Sequence, residues 1–141
     1  MPVSDAIVKK FAEAIGHAEG FFAETRGGKP DLPQRCHNPG NLTDQKDIGY
    51  GTARSVGFGA ADITVYADDA HGWAALEHKV RRMLDGASMQ YPLWMSLGQI
   101  GMKYSCDVNW APNVALRLGY PLTATLQRIA DEKQTSRPGL G

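Results

Sequence analysis

The sequence predicts a mainly α-helical fold of the α+β class, with one small antiparallel β-element after the first helix and its loop. Apolar residues recur at three- and four-residue intervals in two long segments, which is the pattern of amphipathic helices. Glycine-punctuated stretches with β-branched residues occur only over residues 48–66. The length of 141 residues suits one domain. We therefore expect a single domain over residues 1–135 and a flexible tail over residues 136–141.

The first helix is predicted over residues 4–22. Phe11 and Ile15 belong to its apolar face, and Ser4 is a suitable N-cap. The helix is expected to end by the glycine pair that opens the next segment. Residues 27–47 are rich in glycine, proline and polar residues, which is typical of an ordered, irregular loop without a second helix.

The remaining elements follow from similar patterns. Residues 48–66 are predicted to form the small sheet, and Asp68 is predicted to cap a second amphipathic helix that ends near Gly86. Three shorter helices are expected from Ser96 to Tyr104, from Asn109 to Leu118 with Gly119 as the stop, and from Thr123 to Glu132 with Thr123 as the N-cap.

Composition excludes several classes of protein. Fifteen basic and fifteen acidic residues give a net charge of zero, so we expect neither a nucleic-acid partner nor stable binding to an anionic membrane. No apolar run approaches 18 residues, and the first residues lack the pattern of a secretory signal. The chain is therefore expected to be made in the cytoplasm and to reach its target by another route.

Metal, cofactor and thiol chemistry are not indicated. Cys36 and Cys106 are too few for a four-ligand zinc site and permit one disulfide at most, and the sequence leaves free thiols and a bridge both open. Histidines His71 and His78 are seven residues apart, without the four-residue spacing that favours shared metal ligation on a helix. No placed histidine activates Cys36 as a nucleophile.

Glu19 is the first candidate for chemistry. It lies four residues after Ile15 and eight after Phe11, so its side chain projects beside the apolar face of the first helix. Partial burial disfavours an ionised carboxyl and raises its pKa, as a general acid at neutral pH requires. The alternative is an exposed carboxylate in a frayed last turn.

A second informative segment begins at Asn38 and reads Asn-Pro-Gly-Asn-Leu-Thr-Asp. Proline fixes one backbone angle and glycine adopts conformations that other residues avoid, so the segment is predicted to form a tight turn. Its amide side chains either satisfy the backbone or present hydrogen bonds to a polar ligand.

The ordered set of motifs resembles the lysozyme-like superfamily, especially phage and bacterial muramidases and proteins related to lytic transglycosylases. The set comprises a helix ending Glu-Gly-Phe, the Asn-Pro-Gly-Asn-Leu turn, the strand Ile63-Thr64-Val65-Tyr66, the helix Gly72-Trp73-Ala74-Ala75-Leu76, and Lys103-Tyr104 before Asn109 and Leu118-Gly119. It spans roughly residues 6–130. The resemblance implies a helical bundle with a small β-lobe, a cleft between the lobes, Glu19 as the catalytic acid and no metal. It also implies cleavage of the β-1,4 bond between N-acetylmuramic acid and N-acetylglucosamine in peptidoglycan.

The resemblance suggests a second carboxylate for hydrolysis. Asp44 corresponds in position to the water-positioning aspartate of goose-type relatives, and Asp31 and Asp47 are weaker candidates. Without such a partner, a lytic transglycosylase route is the alternative, in which Glu19 acts as acid and then as base. Gly20 stands where the transglycosylase serine would be, which disfavours that route. A non-enzymatic sugar-binding or virion structural protein is a further alternative.

Three residues are predicted to bind substrate: Asn41, Tyr104 and Asn109. The Tyr104 hydroxyl is suited to the catalytic carboxyl or an acetamido group, and Asn109 is expected to cap a helix as well as bind sugar. Phe58 and Tyr66 offer stacking faces if they are not simply packed. The expected partner is a peptidoglycan strand and the expected state is a monomer, which acts at the cell wall after release through a holin-type pore or as part of a virion.

Overall fold

The computed structural model describes residues 3–23, 32–42, 52–58, 61–105 and 107–132, with only the backbone of 52–58 and 61–62. The prediction of a mainly α-helical chain with a small antiparallel β-element is confirmed, because helices dominate these residues and the strands form a two-stranded antiparallel sheet. The elements are α1 (Asp5–Ala18), α2 (Leu32–Arg35), β1 (Thr52–Phe58), β2 (Ala61–Tyr66), α3 (Asp69–Leu84), α4 (Leu97–Tyr104), α5 (Trp110–Leu118) and α6 (Leu126–Ala130).

Helix α1 begins as predicted and ends earlier. The Ser4 hydroxyl accepts a hydrogen bond of 3.1 Å from the amide of Ile7, as an N-cap does. The helix ends at Ala18 rather than Phe22, because Gly20 adopts a positive φ of 88° that an α-helix cannot contain. This early stop leaves Glu19 as the C-cap residue.

The prediction that residues 27–47 lack a second helix was wrong. Helix α2 is a single turn whose first hydrogen bond runs from the amide of Cys36 to the carbonyl of Leu32, at 3.0 Å. Pro33 lies at the start of this turn, where a missing N–H costs nothing. Residues 24–31 and 43–51 lie outside the described residues, so the rest of that prediction is untested.

The β-hairpin is tied to the loop that precedes it. In the hairpin Ser55 faces Thr64 and Val56 faces Ile63. The amide of Thr64 donates to the Leu42 carbonyl at 3.0 Å, and the amide of Tyr66 donates to the Cys36 carbonyl at 2.9 Å. Strand β2 therefore holds the loop against the helices.

The core lies between α1, α3 and α5, with α4 and α6 closing it. Apolar side chains on these helices are almost fully shielded from solvent, and the largest include Phe11, Ile15, Leu76, Ile100, Trp110 and Ile129. Burial of this kind contributes about 1.5–3 kcal/mol for each large side chain. It fixes the positions of the helix ends that carry the polar residues described below.

Helix boundaries in the second half follow the predicted caps with two exceptions, Asn109 and Thr123. Asp68 caps α3 and Ser96 forms a capping box with Gln99 at the start of α4. Helix α5 ends at Gly119 as predicted. The prediction of Thr123 as a cap was wrong, because the Thr125 hydroxyl accepts the hydrogen bond from the amide of Arg128 and α6 begins two residues later.

Among the described residues, no helix combines the length and the apolar character needed to cross a bilayer.

Candidate active site

Glu19 lies where α1 meets α5, with its carboxyl turned toward the core. Its backbone N–H continues the helical hydrogen bonding to Ile15 at 2.8 Å, which holds the residue in line with the apolar face. Its Oε2 accepts a hydrogen bond of 2.8 Å from Nε1 of Trp110, the first residue of α5. The Trp110 ring is 1% exposed, so one wall of the carboxyl is formed by a buried indole.

The pKa of Glu19 is raised from 4.5 to about 7. Burial is the main cause, and the nearby Asp107 carboxylate raises the pKa further. Hydrogen bonds from Trp110 and from the Asn41 amide act in the opposite direction, since they stabilise the ionised form. The prediction that burial would raise this pKa is confirmed, and the alternative of an exposed carboxylate in a frayed turn is excluded.

The two asparagines of the Asn38–Leu42 turn have different roles. The Asn38 side chain is fully buried: its oxygen accepts from the amide of Leu42 at 2.8 Å, and its nitrogen donates to the carbonyls of Leu42 and Thr64, each at 2.9 Å. Asn41 has a positive φ of 51°, a conformation that asparagine tolerates better than most residues. Asn38 therefore builds the turn and Asn41 presents its amide to Glu19.

Helix α3 positions this turn at close range. A Cβ at Gly72 would lie 1.9 Å from the carbonyl oxygen of His37, so only glycine permits the observed approach of the loop to the helix.

The Asn41 amide oxygen is buried without a hydrogen-bond partner in the described part of the chain. Among the described residues, this oxygen is an acceptor that the Asn41–Glu19 hydrogen bond does not use.

Tyr104 joins the turn to the indole. Its hydroxyl donates to the carbonyl of Gly40 at 2.8 Å, and its ring stacks on Trp110 with centroids 4.8 Å apart. Burial, with the nearby Glu19 carboxylate, raises the pKa of Tyr104 well above its ordinary value. Tyr104 is therefore a neutral hydroxyl beside the carboxyl, and its hydrogen bond is given to the backbone of the turn.

Trp110→Phe tests the balance of forces on the carboxyl. The variant removes the indole N–H, which stabilises the ionised form, so we expect the pKa of Glu19 to rise further. The smaller ring also leaves space in the core, and we expect a loss of about 1–3 kcal/mol in the free energy of unfolding. A carboxyl titration by NMR and a denaturant titration measure the two effects.

Trp94→Phe is the matched control, since Trp94 is 65% exposed. It should leave both the pKa of Glu19 and the free energy of unfolding unchanged within about 0.5 kcal/mol. A lower pKa of Glu19 in Trp110→Phe would show that the indole acts on this pKa by excluding water rather than by donating a hydrogen bond.

No protein-family model, curated protein or solved structure matches this chain.

The predicted site residues have separate outcomes. Asn41 and Tyr104 lie next to Glu19. Asp44, proposed as the second carboxylate, lies outside the described residues, as do Asp31 and Asp47.

The prediction that Asn109 caps α5 was wrong. Its backbone is helical (φ −87°, ψ −9°) and its side chain makes no cap hydrogen bond. Its backbone N–H donates to the carboxylate of Asp107 at 2.9 Å. Its part in sugar binding stays a prediction.

The two proposed stacking residues also differ. Tyr66 is 1% exposed and therefore packs inside the protein, so its ring offers no open face for a sugar. The Phe58 side chain lies outside the described residues.

Trp110 contacts Glu19 but is not predicted as a site residue from the sequence. Its spacing to Val114 and Leu118 indicates only a core residue at the start of a helix. The available signal is chemical: a buried indole N–H needs an acceptor, and Glu19 is a carboxyl on an apolar helix face that needs a donor.

A separate concavity of about 390 Å³ lies between α4, α5 and the segment after α5. Its lining is mostly apolar and includes Met102, Val108 and Leu122. Glu19 and Trp110 do not line it, and Asp107 is the one residue that both lines it and acts on the pKa of Glu19. The Glu19 carboxyl therefore does not open into this concavity and is related to it only through Asp107.

Two histidine–aspartate pairs lie at the start of α3. His37 Nδ1 lies 2.8 Å from an Asp69 oxygen, and His71 Nδ1 lies 2.7 Å from an Asp68 oxygen. The described ranges contain no group of three or more histidine, cysteine or acidic residues arranged to hold a metal. Cys36 is buried, and Cys106 lies outside the described residues, so the disulfide question is untested.

Proposed function

We propose that this chain is a lysozyme-like peptidoglycan glycosidase that cleaves the β-1,4 bond between N-acetylmuramic acid and N-acetylglucosamine. Glu19 is the general acid, which donates its proton to the oxygen of the leaving sugar. The observation that carries the proposal is the inward-facing Glu19 carboxyl, hydrogen bonded by Trp110 and with its pKa raised to about 7. The motif resemblance supports the same acid, fold and substrate.

The surroundings of Glu19 suit both stages of proton donation. Before the reaction, burial keeps a large fraction of the carboxyl protonated near neutral pH. After the proton leaves, the carboxylate keeps the hydrogen bonds from the Trp110 indole and the Asn41 amide, which stabilise negative charge. Glu13 on the same helix is exposed and lacks this burial.

Cleavage also requires a nucleophile that attacks the anomeric carbon of the muramyl sugar. In the hydrolytic route Asp44 positions a water, and an inverting geometry then requires about 6.5–9.5 Å between the two carboxyl groups. In the transglycosylase route the ionised Glu19 takes the proton of the muramyl 6-hydroxyl, which closes an anhydro ring and needs no second carboxylate. The third candidate is a protein that binds the glycan without cleaving it.

Product analysis separates these three functions. Purified peptidoglycan is incubated with the protein, turbidity is followed, and the released muropeptides are weighed by mass spectrometry. Hydrolysis gives reducing muramyl ends, and transglycosylation gives anhydro ends that are lighter by one water. Binding of the protein to the glycan with no released muropeptide would reject both enzymatic functions.

The pH dependence of the reaction follows from the raised pKa. A general acid must carry its proton, so activity is expected to decline as the pH rises through about 7. An unperturbed glutamate carboxyl would already have lost its proton near its ordinary pKa of 4.5. Initial rates on peptidoglycan from pH 4 to 9 test this, and a basic limb below about pH 5 would contradict the assignment.

The biological setting forms part of the same proposal. The glycan strand is the partner, the protein acts as a monomer on the cell wall, and it reaches the wall after release from the cytoplasm or on a virion.

A further inference from the structure

Lys79 is a partly buried cation close to the candidate site. It lies in the middle of α3, and its Nζ is 5.3 Å from the ring centroid of Tyr91 and 5.9 Å from that of Tyr104. Burial lowers its pKa. None of the ion pairs within the described ranges involves Lys79. A desolvated ammonium that lies over aromatic rings and takes part in none of these ion pairs is stabilised by an anion that approaches it.

A second ammonium group lies at the same ring. Lys103, in the last turn of α4, places its Nζ 5.4 Å from the centroid of Tyr91 and donates to the carbonyl of Gln90 at 2.6 Å. Two like charges near one ring disfavour each other, so an anion that binds near either ammonium lowers the free energy of this arrangement.

The lysine pair is connected to the general acid through stacked rings. Tyr104 contacts Lys79 on one side and stacks on Trp110, whose indole donates to Glu19. The Glu19 carboxylate also helps to raise the pKa of Tyr91. Lys79 and Glu19 therefore flank the same pair of stacked rings, Tyr104 and Trp110.

We propose that Lys79, assisted by Lys103, binds a carboxylate carried by the muramyl sugar of the glycan strand. This inference rests on the proposed function, which supplies the glycan. N-acetylmuramic acid bears a lactyl ether with a carboxyl group, free or extended by an acidic peptide stem, and N-acetylglucosamine bears none. Recognition of that charge sets which of the two alternating sugars lies on each side of Glu19.

The test measures binding without cleavage, in protein that carries Glu19→Gln. The three probes are a peptide-free tetrasaccharide of alternating N-acetylglucosamine and N-acetylmuramic acid, the same tetrasaccharide with its peptide stems, and uncharged chitotetraose. Calorimetry gives the Kd of each. Adding Lys79→Met should weaken binding of the acidic tetrasaccharides about tenfold and leave chitotetraose binding unchanged. Lys79→Arg should retain most of the preference.

Controls keep the result interpretable. Lys10→Met removes an exposed cation from α1 and should change no Kd. Unchanged chitotetraose binding shows that Lys79→Met is folded, and Lys103→Met provides a second variant with a smaller effect in the same direction. A preference shown only by the peptide-bearing probe assigns the stem carboxylates, and one shown only by the peptide-free probe assigns the lactyl carboxylate. A preference shown by both probes means that the lysines accept either carboxylate.

The proposal is overturned if the protein with native Lys79 binds acidic and neutral probes equally, if it binds none of them, or if Lys79→Met keeps the full preference. Failure of the glycosidase function appears instead as an absence of released muropeptides. The two failures are therefore read from different measurements.

Discussion

Replacing Glu19 with Gln is expected to reduce the rate of muropeptide release about a thousandfold, within the range usual for loss of a general acid. Glutamine has the same shape, and its amide oxygen can accept the hydrogen bond that Trp110 now donates to Oε2. It cannot give a proton to a glycosidic oxygen. Release of muropeptides from purified peptidoglycan by both proteins measures the effect.

The same variant should be more stable than the native protein at neutral and alkaline pH. The folded-state pKa of Glu19 lies above its unfolded value of 4.5, so its contribution to stability is fully present below pH 4.5 and is lost as the pH rises through about 7. The loss amounts to about 3 kcal/mol at most. Glu19→Gln has no such loss, and thermal unfolding at pH 4 and pH 8 compares the two proteins.

Glu13→Gln is the matched control on the same helix. Glu13 is exposed, so we expect Glu13→Gln to keep native activity and a free energy of unfolding within about 0.5 kcal/mol of the native value. If Glu13→Gln and Glu19→Gln retain equal activity, Glu19 is not the acid. If instead Glu19→Gln is inactive because it is unfolded, the thermal measurement reveals it.

Asn38→Ala is expected to lower the free energy of unfolding by about 3 kcal/mol or more, since removing a fully buried hydrogen-bonding group leaves its partners unsatisfied. The Leu42 amide loses the acceptor at 2.8 Å, and the Thr64 carbonyl loses a donor at 2.9 Å. The turn that carries Asn41 loosens as a consequence, so activity should also fall. A denaturant titration measures the loss of stability.

Asn109→Ala provides the comparison with an asparagine that is exposed. Its side chain makes no cap hydrogen bond, so the free energy of unfolding should change by no more than about 0.5 kcal/mol. Equal effects of the two substitutions would show that the Asn38 hydrogen bonds contribute nothing beyond those of a surface amide.

The inward position of Glu19 could be predicted because it depends on local geometry. Its spacing from Phe11 and Ile15 places it beside the apolar face of α1, and the structure confirms this. Its partner Trp110 is 91 residues away in the chain. Their contact depends on how α1 packs on α5, which helical periodicity does not specify.

Local competition explains the other differences. Thr123 and Thr125 are equally good caps by residue type, and the amide of Arg128 decides between them by bonding to Thr125. Both turn asparagines looked alike in the sequence, and the buried carbonyls of Leu42 and Thr64 select Asn38 as the structural one. Both choices depend on which hydrogen bonds form in the folded chain, so single-sequence patterns leave them open.

The most direct test of the central claim is an NMR titration of the Glu19 side-chain carboxyl, with Glu19→Gln used to assign its signal. A titration midpoint at about 7 is the result that the surroundings of Glu19 predict. A midpoint near the ordinary glutamate pKa of 4.5 would mean that this carboxyl is ionised at neutral pH and holds no proton to donate.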